Sequence, residues 1–414
     1  MTEWSAIPDD EIRPFKNLPD LNQVLSPSEC MQLACDVALA GAGWVGKNPL
    51  VGAVAVDRDH KFIAAGAHLK CGEAHAEANL IRTIQNQGLD HRLDSATIYV
   101  TLEPCCFHGR TPGCAQLLAK FPIKTVVYGT TDTHKLVNGK GISYLEDAGI
   151  GCHSMPDFTQ KVSRLSERSL WFQSTKTPFV GLKAGLSQDG IYAFEKSSRT
   201  WITNKRARAY GHWLRQLYDG ILIGPDTLLT DNPSLNIRTA LVTTPNHPRK
   251  VILDCTGRAL MRADLADLNC LKSHPETVIW CLSEQALKSP DIREKASALE
   301  KTGAQYIKPV TKPSDTGTQT DLKQLLESLG AAGMTSLLVE GGAGIWHSFL
   351  ASGLVQKSHL FQSFKTLGPR GLHWTRHWEN GALLDPVDKT IRVTGLENNI
   401  LIEARINPPK LQMN

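Results

Sequence analysis

The sequence predicts an α/β fold in two domains, and three observations support this. The chain has 414 residues, enough for two or three domains of ordinary size. Hydrophobic residues make up 41% of it and charged residues 21%, a balance typical of globular proteins. Short β-branched segments alternate with segments of helical periodicity, an order that predicts sheets covered by helices.

The first half is predicted to form a three-layer α/β domain at residues 26–155, after an irregular leader at residues 1–25. Its first helix begins where Ser26 supplies the cap, Pro27 takes the first helical position and Glu29 closes a capping box. The pattern then predicts strands at 51–56 and 62–65, a helix at 75–86, a strand at 96–102, a helix at 113–120 and a strand at 125–128.

The second half is predicted to be another α/β domain, at residues 178–408, joined to the first by a polar linker at residues 156–177. Its predicted elements are strands at 179–183, 220–224, 250–254, 277–282 and 336–339, with helices at 203–218 and from about 344 to 351. A polar stretch rich in Thr, at residues 311–320, predicts a surface loop.

Charge and cysteine usage exclude several classes of protein. The net charge is only +4 and no basic run marks a nucleic-acid surface. Ten scattered cysteines favour a reducing compartment. The N-terminal stretch is acidic where a signal peptide would be basic and then apolar, and no apolar run reaches the roughly 18 residues that span a bilayer. We therefore expect a cytoplasmic protein with neither membrane nor nucleic-acid partners.

Two short segments predict a catalytic zinc site. His75-Ala76-Glu77 and the stretch from Pro104-Cys105 to Cys114 supply one imidazole, two thiols and one carboxylate. With His75, Cys105 and Cys114 as ligands, a fourth position stays open for a water that zinc can ionise near neutral pH. Glu77 is then the proton carrier and not a ligand, as in the H-x-E and P-C-x-x-C signature of zinc deaminases.

Other polar motifs have more than one interpretation. Cys106 is a rival to Cys105 as the ligand, although a strand-to-helix turn favours Cys105. Asn48 before Pro49 is either a simple turn residue or a donor to the amide edge of a ring. Glu73 is either a solvated loop charge or a site residue. The glycines at 341, 342 and 344 suit a phosphate at a helix N-terminus, but a tight turn fits them as well.

From about residue 27 to about residue 371, the chain resembles the bifunctional deaminase–reductases of riboflavin biosynthesis. Thr101-Leu102-Glu103-Pro104-Cys105 with His108-Gly109-Arg110-Thr111-Pro112 is the most specific match, since cytidine and tRNA-adenosine deaminases lack this insert. Further matches are Asn48-Pro49, Gly66-x-His68, Leu182-Lys183, Trp201-Ile202-Thr203, Leu214-Arg215, Asp231-x-Pro233-x-Leu235-x-x-Arg238 and Val339-Glu340-x-Gly342.

The resemblance implies a cytidine-deaminase-like first domain and a dihydrofolate-reductase-like second domain. It implies Zn²⁺ and NADPH as cofactors, a small pyrimidine ribosyl phosphate as substrate, and an assembly of several copies of the chain. It also assigns residues in the second domain. The NADPH-binding set is Trp201, Thr203, Thr227, Asp231 and Gly342; the substrate-binding set is Lys183, Arg215, Leu235, Arg238 and Glu340, with Asn48 serving the deaminase.

The implied reaction has two steps: hydrolytic deamination of 2,5-diamino-6-ribosylamino-4(3H)-pyrimidinone 5′-phosphate, then reduction of its ribosyl chain to ribityl. Arg199 and Asn232 depart from the family pattern in the second half. They motivate an alternative, a zinc deaminase of a specialised pyrimidine pathway whose C-terminal half is a degenerate, non-reducing module. A nucleic-acid deaminase is a third hypothesis, which the near-neutral charge and the long Cys105–Cys114 spacing oppose.

Overall fold

The computed structural model describes residues 18–106, 113–131, 139–194, 201–239, 241–242, 245–314, 317–375 and 391–406. The chain divides into two compact units between Gln173 and Ser174, a point inside the segment predicted as a linker. The leader at residues 1–17, the motif residues 108–112, Arg199 and residues 407–408 lie outside the described part of the chain.

The described residues of the first unit form five strands and five α-helices. The strands are β1 (Gly52–Val56), β2 (Phe62–Ala67), β3 (Thr97–Leu102), β4 (Thr125–Thr130) and β5 (Gly151–Ser154). The helices are α1 (Pro27–Ala38), α2 (Ala76–Asn86), α3 (Cys114–Leu118), α4 (Lys140–Asp147) and α5 (Thr159–Thr175). The strands form one sheet in the order β2-β1-β3-β4-β5, in which β1 is antiparallel to both neighbours and β3, β4 and β5 are parallel.

This unit has the three predicted layers, because the two faces of β1 belong to different cores. Ala53 and Ala55 pack with α2 on one face, whereas Val54 and Val56 pack with α1 on the other. The capping box of α1 is present: the Ser26 hydroxyl accepts from the Glu29 amide and the Glu29 carboxylate accepts from the Ser26 amide.

A glycine sets how closely α2 approaches the sheet. A Cβ atom at Gly66 of β2 would lie 2.4 Å from the Leu80 nitrogen and 2.6 Å from the Ala76 oxygen, both in the backbone of α2. Real Cβ atoms essentially never come this close to backbone atoms, so only glycine lets the helix lie at this height above the strand.

The second unit has the strands β6 (Phe179–Leu186), β7 (Ile191–Phe194), β8 (Gly220–Ile223), β9 (Arg249–Leu253), β10 (Val278–Cys281), β11 (Gln305–Ile307), β12 (Thr311–Ser314), β13 (Gly317–Thr320), β14 (Ser336–Val339), β15 (Lys357–Ser363), β16 (Gly371–His373), β17 (Arg392–Gly395) and β18 (Asn399–Arg405). Nine of these strands form one sheet in the order β11-β10-β9-β8-β14-β6-β15-β18-β17. Its helices are α6 (Lys205–Gln216), α7 (Pro225–Asp231), α8 (Arg258–Arg262), α9 (Pro290–Lys301), α10 (Leu322–Ala331) and α11 (Ala343–Ala351).

The strands from β11 to β15 run parallel, and β18 is antiparallel to both of its neighbours, β15 and the edge strand β17. The central strands β8 and β14 are buried throughout, as expected for parallel strands covered on both faces. The carboxyl ends of β8, β14 and β6 therefore lie side by side at one edge of the sheet, where α/β proteins place their ligands.

Two polar segments contain regular elements that the sequence did not predict. The segment at 156–177, predicted to be the polar linker between the domains, contains the helix α5, which buries Val162, Ser166, Glu167 and Ser169 although its composition is polar. The prediction of a surface loop at 311–320 is wrong, because β12 and β13 pair there as antiparallel strands. In both segments the polar composition gives no sign of a regular element. A few buried positions are enough to order α5, and backbone pairing is enough to order β12 and β13.

Candidate active sites

Four predicted deaminase residues meet at one end of the first unit. His75 is the residue that caps α2, Cys114 is the first residue of α3, and Cys105 follows β3 by three positions. The Sγ atoms of Cys105 and Cys114 lie 3.6 and 3.4 Å from Nδ1 of His75. Two helix N-termini and a strand end thus bring together residues that are distant in the sequence.

The donor set fits zinc. The three donor atoms lie within 4.8 Å of one another. A tetrahedral ion with Zn–N and Zn–S bonds of about 2.0 and 2.3 Å requires nitrogen–sulfur distances of about 3.5 Å, close to those observed. Cys106 is not a member of this group, so Cys105 is the better candidate ligand, as the sequence indicates.

The charges at the site also suit a dication. Hydrogen bonds with Cys114 and with His75 lower the pKa of the Cys105 thiol to about 4. The hydrogen bond between the two cysteines has the opposite effect on Cys114. It raises the pKa of the Cys114 thiol, and burial raises it further. The lowered pKa favours the thiolate of Cys105, and the Cys114 amide, which donates to its sulfur over 3.4 Å, supports that charge.

Glu77 lies in the first turn of α2, with 3% of its surface exposed. Burial raises the pKa of its carboxyl to about 7, and the Cys105 sulfur adds to the rise. The carboxyl also forms a hydrogen bond with the Cys114 side chain, which places it against the donor group. A carboxyl so placed is suited to take up a proton and return it.

Polar residues behind the donor group orient it. Asn48 Nδ2 lies 3.0 Å from Nε2 of His68, whose Nδ1 lies 3.0 Å from the Ala74 carbonyl oxygen. The His68 ring packs edge-on against His75 at 5.2 Å. The sequence singled out Asn48 but assigned no role to His68, although the Gly66-x-His68 motif contains it.

Glu103 is another polar residue that positions the donor group, although its place in the sequence motif assigned it no role. It is 3% exposed, and its two carboxylate oxygens accept from the amides of Gly139 and Gly141, each over 3.0 Å. Because Glu103 is two residues before Cys105, this contact with the start of α4 fixes the backbone that carries the ligand. The sequence feature that could have indicated this role is the position of Glu103 directly after the predicted strand.

The second unit contains a cavity of about 430 Å³. It is lined by Lys183, Gly185, Trp201, Thr203, Lys205, Ala207, Arg208, Ala209, Gly211, His212, Arg215, Arg238, Thr239, Glu340 and Phe361. Six of these are predicted site residues: Lys183, Trp201, Thr203, Arg215, Arg238 and Glu340. The cavity has five lysine or arginine side chains and one carboxylate, so it is suited to an anion.

Glu340 organises the deep part of the cavity. Its oxygens accept from Nε and Nη2 of Arg215 over 2.7 and 3.0 Å, and Lys183 Nζ lies 3.7 Å away. Burial opposes ionisation of this carboxyl, but the charges of Arg215 and Lys183 outweigh it and hold its pKa at about 2. The fork of Arg215 is thereby fixed in one orientation.

The remaining predicted residues of the second unit lie elsewhere. Thr227 of α7 faces Gly342, because a Cβ at Gly342 would lie 3.9 Å from Thr227 Oγ1. These two residues follow the adjacent strands β8 and β14. Asp231 ends α7, and Leu235 is 2% exposed in a hydrophobic core with a φ of 50°. None of these four is among the described residues that line the cavity.

Three cavity residues were not recognised from the sequence as site residues. Lys205, Arg208 and His212 lie on α6 before Arg215, and the Arg208 guanidinium stacks 4.2 Å above the Trp201 ring. Arginines on a helix are usually solvated, so only the fold shows that this face covers a cavity. Asn232, a departure from the family pattern, takes a left-handed backbone conformation and binds Asp267 and Asn269, away from the cavity.

Comparison with known proteins decides which family these sites belong to. Residues 26–130 match the cytidine and deoxycytidylate deaminase zinc-binding region, and residues 178–374 match the RibD C-terminal domain. The chain is 34% identical to the riboflavin biosynthesis protein RibD of Actinobacillus pleuropneumoniae, over 86% of each chain. It is 35% identical to RibD of Bacillus amyloliquefaciens, over 80% of this chain and 82% of that one. The chain belongs to the RibD family.

Solved structures agree with this assignment. A deaminase/reductase from Thermotoga maritima, named for diaminohydroxyphosphoribosylaminopyrimidine and 5-amino-6-(5-phosphoribosylamino)uracil, is 31% identical, with a TM-score of 0.73 over 91% of this chain and 97% of that one. RibD of Acinetobacter baumannii is 29% identical, with a TM-score of 0.72 over the same shares.

The chain is therefore a bifunctional deaminase and reductase of riboflavin biosynthesis, with a zinc-binding deaminase domain and an NADPH-using reductase domain. The alternative of a non-reducing C-terminal module has no support, since the RibD match extends across the cavity residues. Among the described residues, no helix has the length and apolar character needed to cross a bilayer.

Proposed function

We propose that the two sites act in sequence, the first on the diaminopyrimidine ribosyl phosphate and the second on its deaminated product, the two compounds for which the Thermotoga maritima relative is named. The first site removes the 2-amino group, and the second reduces the ribosyl chain to ribityl. The observation that carries this assignment is the His75, Cys105 and Cys114 donor group with Glu77 buried beside it, in a chain that also contains the cationic reductase cavity.

In the deaminase site, His75, Cys105 and Cys114 would hold the metal, which supplies a Lewis acid that makes water nucleophilic at neutral pH. Glu77 takes a proton from the attacking water and delivers it to the leaving nitrogen. The water oxygen bonds to the ring carbon, the carbon–nitrogen bond breaks, and ammonia leaves. Asn48 binds the polar edge of the ring, held in place by His68.

In the reductase site, the cationic cavity binds the ribosyl phosphate. Arg215 and Arg238 bind the phosphate: Arg215, whose Nε and Nη2 donate to Glu340, contributes its positive charge and its remaining Nη hydrogens, and the guanidinium group of Arg238 adds a second planar donor. Glu340 fixes Arg215 and lies near Lys183, and together they orient the sugar. Leu235 supports the Arg238 loop from the hydrophobic core.

NADPH supplies the hydride for the second reaction. We propose that Thr227 and Gly342 hold the cofactor at the adjoining ends of β8 and β14, with Asp231 at the end of α7. Trp201 and Thr203 line the cavity, and they would hold the nicotinamide cofactor there. The backbone amides at the start of α11 suit a phosphate group.

The test is a two-part assay on zinc-quantified protein with the diaminopyrimidinone ribosyl phosphate, followed by mass spectrometry. The expected result is exchange of one amino group for oxygen without NADPH, and a gain of two hydrogens only when NADPH is added. Deamination that stops there with either nicotinamide cofactor would contradict the reductase assignment. A product unchanged in mass would contradict the deaminase assignment, and the reductase is then tested on substrate that has already been deaminated.

We also propose that the chain works in the cytoplasm as a homo-oligomer without nucleic-acid or membrane partners. None of its ten cysteines, all in the described residues, forms a disulfide, which suits a reducing compartment. Sedimentation of the purified protein at micromolar concentration checks the assembly, and a single monomer species would contradict it.

A further inference from the structure

Trp201 is a large aromatic side chain that is only partly covered. It lines the reductase cavity, and 50% of its surface is exposed. An indole at a cavity offers a flat apolar face to a flat ligand ring, since aromatic rings pack favourably against one another. The gain is largest when the indole is already held in one orientation, because a side chain that must be ordered on binding lowers the affinity. The contacts that hold Trp201 therefore affect what the cavity can bind.

Arg208 supplies one such contact. The central carbon of its guanidinium group lies over the Trp201 ring, 4.2 Å from the ring centroid, which is within the range of a cation–π contact. Nη1 of the same group donates a hydrogen bond to the Thr203 carbonyl oxygen. Because the guanidinium group is bound at this carbonyl while it lies over the ring, Arg208 holds one face of the indole.

The helix that carries Arg208 is itself anchored. Asn204 caps α6, and its side-chain oxygen accepts from the Ala207 amide over 2.8 Å. Its Nδ2 donates to the Leu396 carbonyl oxygen over 2.7 Å, and its backbone amide donates to the Asn399 side chain over 3.2 Å. The start of α6 is thus bound to the turn between β17 and β18, so Arg208 contacts the indole from a fixed support.

The contacts of Arg208 differ from those of the other two arginines among the described residues that line the cavity. Arg215 donates to Glu340, and Arg238 donates to a side chain of its own loop over 2.7 Å. The cation–π contact of Arg208 is with Trp201, which the proposed function assigns to NADPH and not to the ribosyl phosphate. Arg208 is therefore placed to serve the cofactor, although it lies in a cavity suited to a phosphate.

We propose that Arg208 is a positioning residue of the reductase, which holds the Trp201 indole in the orientation that packs against the nicotinamide ring of NADPH. Arg208 acts through Trp201 and does not itself bind the substrate. This inference rests on the proposed function, which assigns Trp201 to the cofactor. The competing role is that Arg208 binds the substrate phosphate, as Arg215 and Arg238 are proposed to do.

Three variants separate these roles. Arg208→Met keeps a long side chain but removes the charge and the N–H donors. Trp201→Leu removes the ring, and the double variant combines both changes. Arg262→Met, at the exposed end of α8, is the matched control. Fluorescence titration measures the Kd of NADPH, and steady-state kinetics at saturating NADPH measures KM and kcat for the substrate that has already been deaminated.

We expect Arg208→Met to raise the Kd of NADPH about fivefold, as for the loss of one cation–π contact, while the KM of the substrate stays within about twofold of wild type. Trp201→Leu should raise the Kd about tenfold, because it removes the ring itself. Once Trp201→Leu is present, adding Arg208→Met should raise the Kd by less than about twofold, since the side chain through which Arg208 acts is gone. Arg262→Met should match wild type.

A rise in the KM of the substrate that equals or exceeds the rise in the Kd of NADPH would overturn the proposal, since Arg208 would then serve the substrate. Losses that multiply in the double variant would also overturn it, because the two residues would act independently. If Trp201→Leu raises the Kd and Arg208→Met does not, only the role of Arg208 is wrong. If Trp201→Leu leaves the Kd unchanged, the assignment of Trp201 in the proposed function fails, and the role of Arg208 fails with it.

Discussion

The zinc-binding group and the reductase cavity are built in opposite ways. The first takes all its donors and its carboxyl from two short segments, at the N-termini of α2 and α3. The second draws its wall from residues scattered between Lys183 and Phe361. One site concentrates sulfur and carboxylate charge for a cation, and the other concentrates guanidinium and ammonium charge for an anion. A compact site can be recognised from spacing, whereas a dispersed site needs the fold.

The largest expected effect comes from breaking the compact site. Cys114→Ser should lose the metal and all measurable deamination, since serine is a poor zinc ligand and Cys114 is one of the three donors that the described residues bring to the site. Elemental analysis measures the zinc content. The matched control is Cys106→Ser, next to the ligand Cys105, which should retain one zinc per chain. Equal zinc loss in both variants would contradict the choice of Cys105.

The next effect separates chemistry from metal binding. Glu77→Gln should keep zinc but lower the deamination rate by about a hundred- to ten-thousand-fold, because the proton carrier is lost. The reduction rate, measured on substrate already deaminated, should not change. Glu73→Gln, in the exposed loop before the site, serves as control. Wild-type deamination by Glu77→Gln would remove Glu77 from the mechanism.

The dispersed site is expected to be sensitive to acid. The pKa of Glu340 is about 2 in the folded chain, against an ordinary value of 4.5. Its ion pair with Arg215 therefore stabilises the second unit above pH 4.5, and this contribution disappears as the pH falls through about 2. Glu340→Gln should lower the free energy of unfolding by about 3 kcal/mol at pH 7.

Urea unfolding of the wild type, of Glu340→Gln and of the exposed control Glu300→Gln checks this at several pH values. The difference between wild type and Glu340→Gln should shrink steadily between pH 4.5 and pH 2. A difference that stays constant over this range would mean that the carboxyl is not held ionised by its partners.

The smallest expected effect is confined to the first unit. Ser26→Ala removes the hydroxyl that accepts from the Glu29 amide at the start of α1, which should cost about 1 kcal/mol. Thermal inactivation should shift to lower temperature for deamination and stay unchanged for reduction. Ser28→Ala, one position inside the helix, is the control. An equal shift of both activities would show that the two units lose their structure together.

The sequence predicted what depends on local rules. The capping box at Ser26, the helix starting next to His75 and the alternation of strands and helices in both units follow from spacing and residue type alone. It failed where a few buried positions decide, as in α5, whose polar composition suggested a linker. It also assigned no role to His68, Glu103 or His212, because their partners are backbone groups or residues that only folding brings near.

The missing side chain at Gly66 limits how the deaminase can change in evolution. Because α2 rests directly on this glycine, any larger residue would lift the helix and carry His75 and Glu77 with it, while Cys105 stays on the other side of the metal site. Exposed loop residues near the site, such as Glu73, do not carry this constraint. Because Gly66 fixes the distance between α2 and the sheet, a change of substrate must come from substitutions in the loops around the site.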